Sequence, residues 1–366
     1  MVEGSSLPWS DRCERLRGRL AEEGLAGLVC GSSANVAYLT GFRGEAGWLL
    51  VSAEEIVLFT DGRFQTQAKE ETRVGEVEIV AEEVLSAVAG AVGERKLAPV
   101  GFESQSLSFA SYQRLAEALG EAIRPTENLV EGLRLAKDEG ELGAVEEALR
   151  LTEEALERVV PQVQLGVTET EVAGELEHTM RRLGAERAAF ETIVAFGERA
   201  ALPHARPTTR RLGAGEVVLM DTGAAVNGYC ADITRTFFFG EPTAPARKAY
   251  EAVLAAQEAG LREVQVGRPC CKAHQAARQA LEKEGLGEAF KHSLGHGVGI
   301  EVHEGPRVSE KSKDEFAAGM VVTVEPGVYI EGQFGIRTED MVVVGEGGAR
   351  TLTRYPKLLG EMVLAP

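Results

Sequence analysis

Five residues in the second half of the chain have the types needed to hold a pair of divalent metal ions: Asp221, Asp232, His296, Glu325 and Glu339. Four are carboxylates and one is an imidazole. Each stands beside glycine, or at the end or in the middle of an apolar run. Carboxylates bridge two cations and offset their charge, so this mixture suits two ions. Paired metals activate water, and the reaction class that follows is hydrolysis.

The spacing around the aspartates sharpens this. In GEVVLMDTGAAVNGYCADITRTFFF, Asn227 and Gly228 both tolerate positive φ, the signature of a two-residue hairpin turn. With those two at the turn, Val226 pairs with Tyr229, Gly223 faces Asp232 and Asp221 faces Thr234. Asp221 and Asp232 then lie on one sheet face as diagonal neighbours. Two anions that close in an apolar hairpin call for a cation. Taken singly, each would read as a turn cap.

HSLGHGVGIEVHE holds three of the six histidines, His292, His296 and His303. Glycines at 295, 297 and 299 let backbone approach a ligand closely, and they exclude a helical HExxH zinc site. Glu325 falls near the end of the apolar strand in MVVTVEPGVYI, where a carboxylate needs a partner or a metal. In GIRTEDMVVV, Arg337 and Glu339 are two apart and share a strand face, while Thr338 and Asp340 point the other way. Arg337 is thus placed to orient Glu339 or another ligating carboxylate, unless it forms a plain surface ion pair. His204 lies in the Pro-flanked loop of VAFGERAALPHARP and carries no information alone. His178 and His274 read as helix positions without catalytic role.

These residues need elements to position them. The length of 366 residues predicts two domains. The first reads as α/β, over residues 1–128: a helix at 10–24, a strand at 25–30, a turn at GSSAN, and a hairpin of 47–52 with 54–60. A helix from Asp61, strands at 76–80 and 98–103, and helices near 82–94 and 108–120 complete it. IRPTENLV, at 123–130, carries a proline and polar residues and reads as the way out, with a linker over 129–136. The second domain, 137–366, reads as α+β. Long amphipathic helices start at Lys137 and at Thr168, where Thr168 and Glu171 form a capping box. Two more cover 243–265 and 270–284. Strands are expected at 190–196, 216–223, 229–239, 298–303, 320–330 and 335–344.

Composition bounds the function. Hydrophobic residues make up 44% and charged residues 26%, as in ordinary globular enzymes. The net charge of −18 is spread along the chain with no basic stripe, which excludes nucleic-acid and anionic-membrane binding. No run is long and apolar enough to span a membrane, and MVEGSSLPWSDRCERLRGRL has no leader-like apolar core. Five scattered cysteines without a CxxC pair read as free thiols in a reducing cytosol.

In order and local context, the five candidate ligands resemble the metallopeptidases of the pita-bread fold, in particular the Xaa-Pro aminopeptidases (aminopeptidase P) and prolidases. The matching stretches are VAFGERAALPH, MDTGAAVNGYCADITRTF, HSLGHGVGIEVHE, VVTVEPGVYI and GIRTED, spread over most of 137–366. NVAYLTGFRGEAG, at 35–47, resembles the smaller N-terminal domain of the same enzymes. Ser293 and Thr338 depart from the family pattern, where glycine and an aliphatic residue are frequent. The resemblance implies two ions, Mn²⁺ or Co²⁺ with Zn²⁺ possible. Asp221 would bind one, His296 and Glu325 the other, and Asp232 and Glu339 both. It implies a bridging hydroxide that attacks the carbonyl before proline, with Glu325 as proton shuttle. His204, His292 and His303 would line the site, with Arg337 behind it. The implied substrates are peptides with proline second, or Xaa-Pro dipeptides, and the implied assembly is a homodimer. A methionine-aminopeptidase-like activity and a non-catalytic binding scaffold are the competing readings. The extra first domain speaks against the former and the intact ligand set against the latter.

Overall fold

The computed structural model describes residues 9–365, so part of the leader argument, over residues 1–8, lies outside the described residues. The chain divides into two units, Met1–Arg134 and Leu135–Pro366. In the first, β1 (Gly27–Cys30), β2 (Gly47–Ser52), β3 (Ile56–Asp61), β4 (Glu76–Val80), β5 (Val100–Glu103) and β6 (Ile123–Thr126) form one sheet in the order β4-β3-β2-β1-β5-β6. The β1–β2–β3 part is antiparallel, and β4, β5 and β6 join it in parallel. Among the described residues it is accompanied by helices α1 (Trp9–Glu22), α2 (Ser33–Thr40), α3 (Gln65–Glu71), α4 (Val84–Glu94), α5 (Phe109–Leu119) and α6 (Glu131–Arg134).

Two expectations fail in this unit. GSSAN is not a free turn, because Ser32 caps α2 by accepting from the Asn35 amide. That helix of Asn, Val, Tyr and Thr has weak intrinsic propensity and is held by burial of six of its residues. IRPTENLV is not a linker either. Its first half is β6, an edge strand on which Pro125 forfeits no ladder bond.

The second unit carries helices α7 (Glu139–Val159), α8 (Glu169–Leu183), α9 (Ala244–Glu263) and α10 (Cys270–Lys283). The expected capping box of Thr168 with Glu171 is formed, and a second, of Asp138 with Glu141, starts α7. In chain order the strands are β7 (Arg187–Ala188), β8 (Ile193–Phe196), β9 (Val217–Thr222), β10 (Ala224–Val226), β11 (Tyr229–Cys230), β12 (Ile233–Phe239), β13 (Gly295–Gly297), β14 (Glu304–Val308), β15 (Val321–Val324), β16 (Gly327–Ile330), β17 (Phe334–Arg337), β18 (Asp340–Gly345), β19 (Gly348–Thr351) and β20 (Val363–Leu364). They assemble as β11-β10-β7, β20-β12-β9-β8, β14-β13-β15-β18-β19 and β16-β17. One apolar cluster runs between helices and sheets, from Val145 and Leu176 to Val322 and Val342.

The expected strand at 298–303 is absent: that segment is the turn between β13 and β14. Three other expected strands are each broken once. The breaks fall at Ala231–Asp232, Glu325–Pro326 and Thr338–Glu339. Each break therefore contains a candidate ligand. Among the described residues no helix is long and apolar enough to cross a membrane.

Candidate metal centre

The hairpin sets the first pair. Asn227 and Gly228 adopt φ of 51° and 81° at its tip. Val226 pairs with Tyr229 and Asp221 with Thr234, so the expected register holds on both sides of the kink. Asp221 is thereby on β9 and Asp232 just before β12, two residues from the partner of Asp221 and on its face.

β13 supplies His296. Its amide donates to Thr323 Oγ1 at 3.1 Å, and that hydroxyl donates to Glu325 Oε1 at 3.2 Å. The glycines around His296 serve a different purpose from the expected one. A Cβ at Gly295 would lie 2.0 Å from Thr323 O, and one at Gly297 1.8 Å from Gly305 O. They admit neighbouring backbone, not a ligand.

His296 Nε2 lies 3.3 Å from Glu325 Oε1 and 3.7 Å from Asp232 Oδ2. Ligand atoms of Asp232, His296 and Glu339 all fall within 4.8 Å of one another. Thr234 Oγ1 donates to Glu339 Oε2 at 2.7 Å. Arg337, fully enclosed, donates through Nη2 to Asp221 Oδ2 at 2.5 Å, through Nε to Thr234 Oγ1 at 3.0 Å, and through Nη1 to Tyr329 Oη at 2.8 Å and Pro203 O at 3.2 Å. Of the two roles open to it in the sequence, Arg337 takes that of orienting a carboxylate. The carboxylate is Asp221; Glu339 is held by Thr234, because the break at Thr338 ends the simple alternation of faces.

Tyr329 was not singled out in the sequence, nor was Thr234. Tyr329 lies in VVTVEPGVYI, on β16, and its parity with Gly327 gives no hint of a polar partner. Its hydroxyl is 2.9 Å from His292 Nε2. His292 Nδ1 is 2.8 Å from Ser293 O, an acceptor only, so Nδ1 carries the proton. The bonds then run one way: Arg337 to Tyr329, Tyr329 to His292, His292 to the Ser293 carbonyl. Both His292 nitrogens are used, so it supports Tyr329. His303 is exposed and sets its ring edge-on to His296, centroids 4.2 Å apart. His204 is also exposed. His178 lies exposed on α8, and His274 is buried on α10, stacked on Phe290.

The donor set fits a metal cation. Asp221 Oδ1 and Glu339 Oε1 are buried without a hydrogen-bond partner. Burial, then Arg337 working against it, then the charge of Glu325 leave Asp221 above the ordinary carboxylate range. Burial followed by neighbouring carboxylates pushes Asp232 and Glu339 well above it. Like charges crowded in a dry site raise each other's pKa, and a cation among them removes that penalty. His296 adds a tautomer argument. Its Nδ1 is 3.1 Å from Gly297 O and must carry the proton, so the Nε2 lone pair faces Glu325 and Asp232. That atom needs either a second proton or a metal; a carbonyl fixing Nδ1–H is the usual support of a metal-bound histidine.

The model of metallopeptidase family M24 matches residues 143–346, and that of the creatinase/prolidase N-terminal domain matches 12–136. The chain belongs to metallopeptidase family M24. Its second unit is accordingly the pita-bread fold, preceded by a creatinase-type domain, and the α+β class expected from the sequence holds. The M24 chain is similar to the solved Xaa-Pro dipeptidase from Bacillus anthracis, at 37% identity over 97% of this chain and 100% of that one, with a TM-score of 0.93. It is also similar to the X-Pro aminopeptidase from Thermotoga maritima, at 37% identity, 97% and 99% coverage and a TM-score of 0.90. The curated Xaa-Pro dipeptidase of Pyrococcus furiosus is 32% identical over 95% of this chain and 99% of its own length.

Proposed function

We propose that this M24 enzyme hydrolyses the Xaa-Pro bond at the N-terminus of peptides or in Xaa-Pro dipeptides, using two divalent ions. The observation that carries the reading is the convergence of Asp221, Asp232, His296, Glu325 and Glu339 around two orphaned buried oxygens. Asp221 would hold one ion, His296 and Glu325 the other, and Asp232 and Glu339 both. Mn²⁺ or Co²⁺ suits so carboxylate-rich a set, and Zn²⁺ is compatible with it. When bound, the ion pair supplies an activated water and polarises the scissile carbonyl.

The chain's own groups do the rest. Burial works against the charge on Glu325, but His296 beside it, then His292 and Arg337, hold its carboxyl at about 2. We assign to Glu325 the transfer of a proton to the leaving proline nitrogen. Partial desolvation of the His303 ring, then the charge that His296 carries when doubly protonated, lower the His303 pKa. His303 and His204, both exposed, are the groups we assign to the oxyanion or the proline side. An Xaa-Pro bond is a tertiary amide with no N–H, so a protease that grips its substrate as a β-strand lacks a donor there. Activation of the carbonyl does not require that donor. The first unit, matched by the creatinase/prolidase model, favours this reading over a methionine aminopeptidase. The reading includes a homodimer in the cytosol, and five free thiols fit a reducing compartment.

Cleavage assays test it. The protein, loaded with Mn²⁺ or Co²⁺, is offered Gly-Pro, Ala-Pro-Ala and Met-Ala-Ala. Cleavage of Gly-Pro alone means a dipeptidase, and cleavage of Ala-Pro-Ala means an aminopeptidase. Cleavage of Met-Ala-Ala alone, or of none with metal bound, overturns the proline reading.

A further inference from the structure

Helix α9 brings one polar side chain into the core behind the metal centre. Gln257 is completely buried. Its Nε2 donates to Val324 O at 3.1 Å and to Thr338 O at 3.2 Å. Those two residues immediately precede Glu325 and Glu339. Val324 is the last residue of β15, paired with Asp340, and Thr338 lies just past the end of β17, so both carbonyls stand where a ladder runs out. A buried carbonyl at such a place needs another donor.

The direction of the amide is fixed. Gln257 Oε1 accepts from Lys357 Nζ at 2.7 Å. Turned over, the amide would set its oxygen against two carbonyls and its NH₂ against an ammonium. Lys357 in turn pairs closely with Asp340, which accepts from Arg235 Nη2 at 2.9 Å. Arg235, completely buried, directs its remaining N–H groups at the carbonyls of Thr234, Glu339, Tyr355 and Pro356. It projects from β12 on the side opposite Thr234, away from the carboxylates.

We propose that Gln257 is a positioning residue of the metal centre: its one amide ties together the backbones that present Glu325 and Glu339, and so sets the spacing of the two carboxylates. Arg235, Asp340 and Lys357 hold that amide in its direction. The inference rests on the dinuclear reading above. It concerns a side chain that touches neither metal nor substrate and does not titrate.

Calorimetric titration of the chelator-treated protein with Mn²⁺, and the visible spectrum of its Co²⁺ form, test it on the full chain. Q257M keeps the volume and removes both donors. It is expected to bind Mn²⁺ about 10- to 100-fold more weakly than the unsubstituted chain. Its Co²⁺ absorption band is expected to shift, while circular dichroism stays that of the folded protein. A glutamine that only stabilises the fold would lower the melting temperature and leave the affinity and the spectrum unchanged; that result overturns the inference alone. Absence of Mn²⁺ uptake by the unsubstituted chain overturns the dinuclear reading and this inference with it. If Q257M does not fold, K357M, altered at a partly exposed position, carries the same expectation and the same overturning result.

Discussion

Arg337 divides its guanidinium among Asp221, Thr234, Tyr329 and Pro203, and is itself enclosed. A lysine there keeps the charge but has no planar fork, so it can satisfy at most part of that set. Arg337→Lys is expected to lower kcat/KM by on the order of 10- to 100-fold, the range seen when support of a ligating group is lost. Steady-state kinetics on an Xaa-Pro substrate checks this, and unchanged kcat/KM would remove Arg337 from the site. Burial opposes the charge on Glu325, and His296, His292 and Arg337 outweigh it. Glu325→Gln keeps the shape and removes the proton acceptor. The expected result is a fall in kcat of about 10²–10⁴ with the fold retained, since proton transfer contributes that much. Retained turnover would reassign the proton shuttle.

At the scale of elements, the β9–β12 hairpin has no room at Gly223. A Cβ there would lie 1.8 Å from Ala231 O and 3.1 Å from the Phe190 ring. Gly223→Ala must push the two arms apart next to Asp232, at a cost of about 1–3 kcal/mol or more. A lowered urea midpoint measures it; an unchanged midpoint would mean the kink is soft. Helix α10 makes a pH prediction. His274 is buried, stacks on Phe290 at 5.2 Å, and its Nδ1 has no hydrogen-bond partner. Burial lowers its pKa from 6.5; Glu310 opposes that, and Arg278 and His292 add to it. The folded chain therefore binds fewer protons here than the unfolded chain, and stability is lost as pH falls through 6.5 toward the folded value. His274→Phe extends the stack and removes the titration. Its melting temperature is expected to fall less steeply below pH 6.5 than that of the unsubstituted chain. Parallel curves would show that His274 carries no linkage.

Elements also show where the sequence could be read and where it could not. Register across Asn227–Gly228 was legible because period-two pairing and a turn that needs positive φ leave one choice. The Thr168–Glu171 capping box was legible because both partners are local. The strand breaks at Asp232, Glu325 and Glu339 were not, because an apolar run does not reveal where its ladder stops. Those breaks are what free the side chains from strict alternation, so parity placed Arg337 beside Glu339 while the fold gives it to Asp221. Tyr329, Gln257 and the bonds of Thr234 to Glu339 and Arg337 were invisible for a related reason. Each acts through contacts far along the chain, such as Gln257 with Thr338, and no local pattern encodes them.

For the whole molecule, the five candidate ligands all belong to the unit Leu135–Pro366. They come from β9, the break before β12, β13, and the breaks after β15 and β17. Metal that binds the folded unit and not the unfolded chain adds RT ln(1 + [L]/Kd), about 2.7 kcal/mol at a hundredfold excess over Kd. The gain acts on what must open to release the ions. Asp221, Asp232 and Glu339 are pushed up by burial and by neighbouring charges, so the same step removes a repulsion stored in these segments. Hydrogen exchange with and without Mn²⁺, read by mass spectrometry, is therefore expected to show added protection in peptides covering 217–239, 295–308 and 321–345. Peptides from the sheet of Met1–Arg134 are expected to exchange at unchanged rates. Added protection confined to the first unit, or none despite bound metal, would place the ions elsewhere and would dissolve the link between this carboxylate cluster and the stability of the fold that holds it.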